Sequence, residues 1–205
     1  MKIFNFLLFV LCSVGLFESA TAQNKAAKPT LVVGIVVDQM RYDYISRYWG
    51  LYGNGGFKKL VTKGYNFTNA HYEFVPTYTG AGHANISTGA FPSINGIVGN
   101  EWYERLEKRL VYCAEDSTVS TIGSTSKAGQ MSPRRLLSTT VGDELRISSN
   151  FKSRVYGVAL KDRGAILSTG RSATGAYWFD DASGNFITSS YYSKDLPKWL
   201  HDFNA

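Results

Sequence analysis

Leu31-Val32-Val33-Gly34-Ile35-Val36-Val37-Asp38 is a near-continuous apolar run closed by a carboxylate. It lacks the alternation of a half-exposed strand, so it reads as a strand buried on both faces of a parallel sheet. Asp38 then stands at the carboxyl end of the strand, the edge where open α/β sheets bind ligands. On the residues alone Asp38 is either a site residue at that edge or a cap for a helix beginning at Gln39.

Working outward, residues 42–49 and 57–62 read as short helices separated by Gly53, Gly55 and Gly56, and residues 65–72 as a second strand. That strand leads into Pro76-Thr77-Tyr78-Thr79-Gly80-Ala81-Gly82-His83-Ala84-Asn85-Ile86-Ser87-Thr88-Gly89. Here Pro76 stiffens the approach, Thr79 caps a helix, Gly80 to Gly82 leave backbone amides uncovered, and Gly89 stops the helix. Two readings stay open: a plain capped helix, or an anion site at a helix start with a hydroxyl beside it.

Further along, residues 96–103 form a loop entering a strand whose partner is 110–113, and the Ser-, Thr- and Gly-rich residues 117–129 form a surface loop. Ser132 as cap and Pro133 at the first helical position predict a helix through about 147. Residues 154–160 make another apolar strand, ending in Lys161-Asp162-Arg163-Gly164. Residues 176–179 and 186–192 flank 180–185 as a β-hairpin, and residues 200–205 fall within a short amphipathic helix. Strands alternating with helices make the class α/β, with a mostly parallel sheet flanked by helices and the small hairpin as an insertion.

Composition narrows the setting. A chain of 205 residues that is 44% hydrophobic and 14% aromatic buries a real core, which excludes disorder. Lys2, an apolar run over 3–17 and Ala20-Thr21-Ala22 read as a signal peptide over residues 1–22, with the mature chain beginning at Gln23. The apolar run is too short for a stable membrane anchor, and Leu11 before Cys12 argues against a lipoprotein site. A periplasmic or secreted protein is expected. Cys113 is then the only cysteine left, so no internal disulfide forms. The net charge of +6 is spread over scattered pairs such as Lys58-Lys59 and Arg134-Arg135, which suits small anions better than nucleic acid as a specific partner.

Several motifs fail. Gly80-x-Gly82-x-x-Asn85 lacks the third glycine of a dinucleotide fingerprint, no Walker spacing occurs, and Cys113 lacks the Cys-x-Pro-x-Arg context of sulfatases. Lys161 and Arg163 are either ligands for an anion or solvated surface charges, and Asn100 is either a polar site residue or a turn residue after Gly99.

Taken together, Val36-Val37-Asp38-Gln39-Met40-Arg41, Pro76 to His83, Gly99-Asn100-Glu101-Trp102-Tyr103, Lys161-Asp162-Arg163-Gly164-Ala165-Ile166-Leu167 and Ala176-Tyr177-Trp178-Phe179-Asp180 resemble the N-terminal part of the alkaline phosphatase superfamily. The resemblance spans essentially all of residues 23–205 and is strongest to secreted, monomeric alkaline phosphatases with a threonine nucleophile. It implies two zinc ions, with Asp38 and Thr79 as metal ligands and Thr79 as the nucleophile toward phosphorylated small molecules. It also implies that Asn100, Lys161 and Arg163 contact phosphoryl oxygens. The Lys-x-Arg pair favours monoesters, whose extra negative charge a diester lacks. A nucleotide pyrophosphatase or phosphodiesterase and a non-catalytic phosphate-binding module are the alternatives.

The resemblance breaks at the metal site. Two zinc ions need several His and Asp ligands, whereas the chain has 3 histidines, none at a position matched to a family metal ligand. His83 reads as a hydrogen-bonded structural residue, and His71 and His201 as structural or surface residues. The expectation is therefore an N-terminal fragment that is inactive alone and prone to aggregate through an uncovered sheet edge.

Overall fold

Trp178 marks the centre of the core, 2% exposed, and its indole N–H donates to the Ala128 carbonyl at 3.0 Å. The computed structural model in which it lies describes residues 29–205, so the predicted signal peptide falls outside the described residues. The chain divides into two units, Met1–Val36 and Val37–Ala205.

In the first unit, the described residues form no strand, and Leu31, Val32, Val33 and Ile35 are exposed. The buried parallel strand expected over 31–37 is therefore corrected. A strand is a ladder rather than a local conformation, and no described residue pairs with this segment.

In the second unit, helices α1 (Tyr44–Arg47) and α2 (Gly56–Lys63) appear near their expected places, joined through a 3-10 turn at Trp49–Leu51. The strand expected over 65–72 does not form, and Tyr65 and Phe67 stay exposed, for the same lack of a paired neighbour among the described residues. Helix α3 (Thr79–Thr88) follows, and it ends as expected at Gly89, whose φ of 64° is the left-handed conformation that glycine adopts without steric cost. Helix α4 (Pro92–Asn95) then leads into a two-stranded ribbon, β1 (Glu101–Glu104) against β2 (Arg109–Tyr112), with Glu101 opposite Tyr112.

The second sheet has the order β3-β6-β5-β4, where β3 is Thr121–Ile122, β4 Tyr156–Ala159, β5 Gly175–Asp180 and β6 Asn185–Ser189. β4 and β5 run parallel, joined through helix α6 (Asp162–Thr169), while β5–β6 is the expected hairpin and β6 pairs antiparallel with β3. Among the described residues the parallel character is thus confined to one βαβ unit. The loop expected over 117–129 is interrupted by β3, whose two residues add a strand to β6. Helix α7 (Lys198–Asn204) closes the element order, and Leu200 packs with Tyr177 and Leu196.

The helix expected from Ser132 is also corrected. Pro133 to Leu137 forms no helix: the Ser132 hydroxyl donates to Asp116 Oδ2 at 2.6 Å and still accepts the Arg134 N–H at 3.2 Å as a cap would, but the Leu137 N–H donates to the Asn95 carbonyl at 2.8 Å instead of continuing a helical turn. Helix α5 (Val141–Ser148) begins later, where the Thr140 hydroxyl accepts the Asp143 N–H and the Asp143 carboxylate accepts the Thr140 N–H. Such a capping box satisfies two otherwise orphaned donors.

The core joins α3 and α6 to the larger sheet. Ala84, Ile97, Leu136, Ala165, Ile166, Leu167, Ala176, Trp178 and Ile187 are essentially inaccessible to solvent. Truncating one of the large members, such as Ile166, would cost about 2–5 kcal/mol. The Ser87 hydroxyl donates to the Leu167 carbonyl at 2.6 Å, fastening the two helices side by side. Among the described residues no helix is long and apolar enough to cross a membrane.

Candidate active site

Thr79 is the first residue of α3 rather than its cap: Tyr78 holds the cap position without a side-chain bond, and the Thr79 hydroxyl points away to donate to Asp38 Oδ2 at 3.1 Å. The hydroxyl is therefore not consumed in satisfying the helix terminus. The other Asp38 oxygen accepts the N–H of Gln39 at 3.0 Å, within a turn in which Gln39 takes a φ of 56°. No helix starts at Gln39, so the capping alternative for Asp38 does not hold; the first helix begins at Tyr44. A non-glycine residue in the left-handed region costs free energy and persists where surrounding contacts hold it, as the carboxylate does here. Tyr72 lies close enough that burial, and then the Asp38 charge, push its phenol above the ordinary value.

Behind Thr79 the helix start is held by Asn100. The Gly80 N–H donates to Asn100 Oδ1 at 2.7 Å. Because a backbone N–H only donates, the atom facing it is the amide oxygen, and the Asn100 NH2 group must point the other way, as a donor. Glycine is required at position 80 by this close approach: a Cβ there would lie 2.9 Å from the Gly99 carbonyl oxygen, 3.1 Å from Cys113 Sγ and 3.2 Å from Asn100 Oδ1. Cys113 is buried beneath it, and burial, then the neighbouring Asp162 charge, push its thiol up to about 12, so it is no thiolate nucleophile near neutral pH.

Arg163 enters from the first turn of α6. Its Nη1 donates to the Tyr112 hydroxyl oxygen at 2.9 Å, and the Tyr112 hydroxyl donates to Asp162 Oδ1 at 2.5 Å. That same carboxylate oxygen accepts the Arg163 N–H at 2.6 Å. Burial works against the guanidinium charge, but the contacts with Tyr112 and Asp162 outweigh it, and Arg163 is held above its ordinary value. The charges of Asp162 and Arg163 are both felt at Cys113, which sits directly under Gly80. The starts of α3 and α6 therefore lie on one side of the unit, with His83 facing Gly164 between them.

The five residues singled out in the sequence are thus not all joined by direct contact. Asp38 and Thr79 touch, Asn100 touches the residue after Thr79, and Arg163 reaches the same region through Tyr112 and Cys113. Lys161 caps α6 through its backbone, but its side chain is exposed and Nζ lies 3.8 Å from Asp181 Oδ2. His83 is buried, and because a carbonyl only accepts, its Nδ1–H donates to the Thr79 carbonyl at 2.8 Å, the hydrogen-bonded structural role expected of it. Sequence reasoning missed Tyr112 and Asp162; the only hint was that Asp162 lies between Lys161 and Arg163, which it did select, while nothing in the sequence pointed to Tyr112.

The donor set fits one edge of a metal centre and no more. Asp38 and Thr79 bring two oxygens together, but no group of three or more His, Cys, Asp and Glu side chains converges among the described residues. Zinc centres take about four ligands.

A hydroxyl on a helix start, a carboxylate beside it and an amide and guanidinium nearby are groups of the kind that phosphoester-processing sites use. The family model for type I phosphodiesterase / nucleotide pyrophosphatase matches residues 32–205, and the chain belongs to that family, within the alkaline phosphatase superfamily. It is 53% identical over 97% of its length to alkaline phosphatase PafA of Elizabethkingia meningoseptica, and 50% identical over 97% to alkaline phosphatase PhoV of Synechococcus elongatus. It covers 36% and 38% of those proteins, so it spans about a third of the curated relatives it matches. The crystal structure of wild-type PafA superposes with a TM-score of 0.86 at 55% identity, covering 88% of this chain and 35% of that one. A second PafA structure, with a TM-score of 0.81 at 53% identity over 82% of this chain and 33% of that one, carries substitutions at one threonine, one asparagine, one lysine and one arginine.

Proposed function

We propose that the whole protein is a secreted or periplasmic, zinc-dependent phosphate monoesterase that acts through a phosphothreonine at Thr79. The observation that carries the reading is the Thr79 Oγ1 to Asp38 Oδ2 contact at the start of α3, with Asn100 locked to Gly80 alongside. Names borne by similar proteins support the reaction class: PafA and PhoV are alkaline phosphatases. The four residue types replaced in the PafA variant, with one residue between its lysine and arginine, are those of Thr79, Asn100, Lys161 and Arg163 here.

Thr79 Oγ1 attacks the phosphorus, forming a new P–O bond while the ester P–O bond breaks; its electron pair leaves with the alcohol oxygen, and the proton given up by the threonine hydroxyl ends on the released alcohol. Water then attacks the phosphothreonine, releasing inorganic phosphate and restoring the hydroxyl. Asp38 Oδ2 orients Thr79 Oγ1, and Asn100, its oxygen occupied by Gly80, donates its NH2 to a phosphoryl oxygen. Arg163 and Lys161 bind the oxygens that a monoester leaves unesterified. Lys161 must swing from Asp181 to do so, which its exposed side chain permits. Two zinc ions, when bound, would lower the cost of deprotonating the threonine and neutralise the leaving oxygen. Asp38 and Thr79 would hold one edge of that site, the other ligands lying outside the described residues. The leader over residues 1–22, monomeric state and freedom from a membrane anchor complete the proposal.

The test is hydrolysis of p-nitrophenyl phosphate by the whole protein before and after chelation, with zinc restoration. Activity that survives exhaustive chelation contradicts the metal dependence. A second reading, favoured by the description of the matching family model, is a nucleotide pyrophosphatase or phosphodiesterase. It predicts faster turnover of a bis-ester than of the monoester.

A further inference from the structure

The β1–β2 ribbon touches both helix starts from one end. Asn100, just before β1, accepts the Gly80 N–H of α3, and the Asn100 carbonyl accepts the Cys113 N–H at 2.8 Å. Tyr112, the last residue of β2 and the partner of Glu101, reaches α6. Its hydroxyl has a fixed polarity: the proton goes to Asp162 Oδ1, which leaves an oxygen lone pair for Arg163 Nη1. Asp162 is itself held by the first-turn N–H of Arg163, and the guanidinium also lies over the Tyr112 ring, 5.9 Å from its centroid. Arg163 Nε is buried and has no hydrogen-bond partner among the described residues, so within them the anchorage of the guanidinium comes from Nη1.

We propose that Tyr112 is a positioning residue for Arg163: with Asp162 it fixes the guanidinium at the spacing from Asn100 that a phosphate monoester requires, and so sets the preference for monoesters over diesters. The assignment rests on the monoesterase reading above. A long arginine side chain loses rotamer freedom when it binds, and a preformed contact removes that loss in advance. The ribbon does the spacing, because Asn100 and Tyr112 belong to hydrogen-bonded neighbours at one end of it. Burial, reinforced by the Asp162 charge, keeps the Tyr112 phenol far above its ordinary value, so it remains a hydroxyl throughout the working pH range.

The test uses the whole, metal-loaded protein and the variants Tyr112→Phe and Asp162→Asn, alone and in an Arg163→Ala background. The readouts are kcat/KM for p-nitrophenyl phosphate and for bis-p-nitrophenyl phosphate, and the affinity for inorganic phosphate by calorimetry. Tyr112→Phe keeps the ring and loses only the hydroxyl, and should lower monoester kcat/KM by about 10–100-fold, the scale of a small misplacement. Diester turnover should hardly change, phosphate should bind more weakly, and the effect should vanish once Arg163 is alanine. An equal loss for both substrates, or an undiminished effect in the Arg163→Ala background, overturns the assignment. A monoester-selective parent whose Tyr112→Phe variant is unaffected overturns this assignment alone; a parent that prefers the diester overturns the monoesterase reading and the assignment with it.

Discussion

The Gly80 amide donates to Asn100 Oδ1 at 2.7 Å, and this one bond joins the start of the Thr79 helix to the ribbon that carries Tyr112. It fixes which way the Asn100 amide faces. A methyl group on residue 80 would press on the Gly99 carbonyl, Cys113 and Asn100 at once. Gly80→Ala is therefore expected to destabilise the fold by about 1–3 kcal/mol, the usual cost of overpacking. It should also reduce monoester kcat/KM by about tenfold or more through displacement of Asn100. Denaturant unfolding beside steady-state kinetics checks both.

Asn100→Ala removes the proposed donor to phosphate and leaves the Gly80 N–H without its partner. Loss of one well-placed donor costs about 10²–10³ in turnover, while an unsatisfied backbone group costs about 1–3 kcal/mol of stability. Asn100→Asp should retain the Gly80 bond but place a carboxylate against the phosphate. It is expected to keep the unfolding midpoint near that of the parent and still lose turnover, so the pair of variants separates the two roles of Asn100 by thermal melts and rates.

Alanine at both Lys161 and Arg163 should reduce monoester turnover far more than diester turnover, because the diester lacks the oxygen charge that these cations address. The quantity to follow is the ratio of the two kcat/KM values. A ratio unchanged by the double substitution would remove both residues from substrate discrimination.

Asp180 supplies a pH prediction away from the site. It is 3% exposed, and burial opposes its ionisation, yet hydroxyls of Ser124, Ser183 and Ser126 and the Ala182 N–H hold its carboxyl at about 2 against an ordinary 3.8. A depressed folded-state value means that the stabilisation is complete above the ordinary value and is lost as pH falls through the folded one. Asp180→Asn should melt below the parent at neutral pH, and the two curves should converge as pH falls from 3.8 toward 2. Parallel curves over that window would show that Asp180 contributes no such linkage.

Local signals in the sequence were faithful where the chain closes its own hydrogen bonds. Gly89 ends α3, the 180–185 turn makes the β5–β6 hairpin, and Lys161 and Arg163 do follow a strand. Residues 31–37 and 65–72 misled because β propensity describes a surface that fits a neighbour, and the neighbour is not readable from the run itself. Ser132-Pro133 misled for a different reason: the cap bond to the Arg134 N–H does form, but the Leu137 N–H that the next helical turn would need goes to the Asn95 carbonyl, remote in sequence. The true helix start was written as Thr140-x-x-Asp143, a capping box with Asp in place of the usual Glu. At the site, Thr79 and Asn100 were legible as polar residues at element boundaries, whereas Asp38 was singled out from a strand end that the described residues do not form. Tyr112 was not, because its role depends on a ribbon register that brings β2 against α6.

On the proposed mechanism Thr79 carries the phosphoryl group during turnover. The most direct measurement is acid quench of the whole protein during turnover of a phosphate monoester, followed by peptide mass analysis. One phosphoryl group is expected on Thr79, absent in Thr79→Ala together with turnover. Turnover that persists in Thr79→Ala, or a quenched enzyme that is phosphorylated elsewhere, would contradict it.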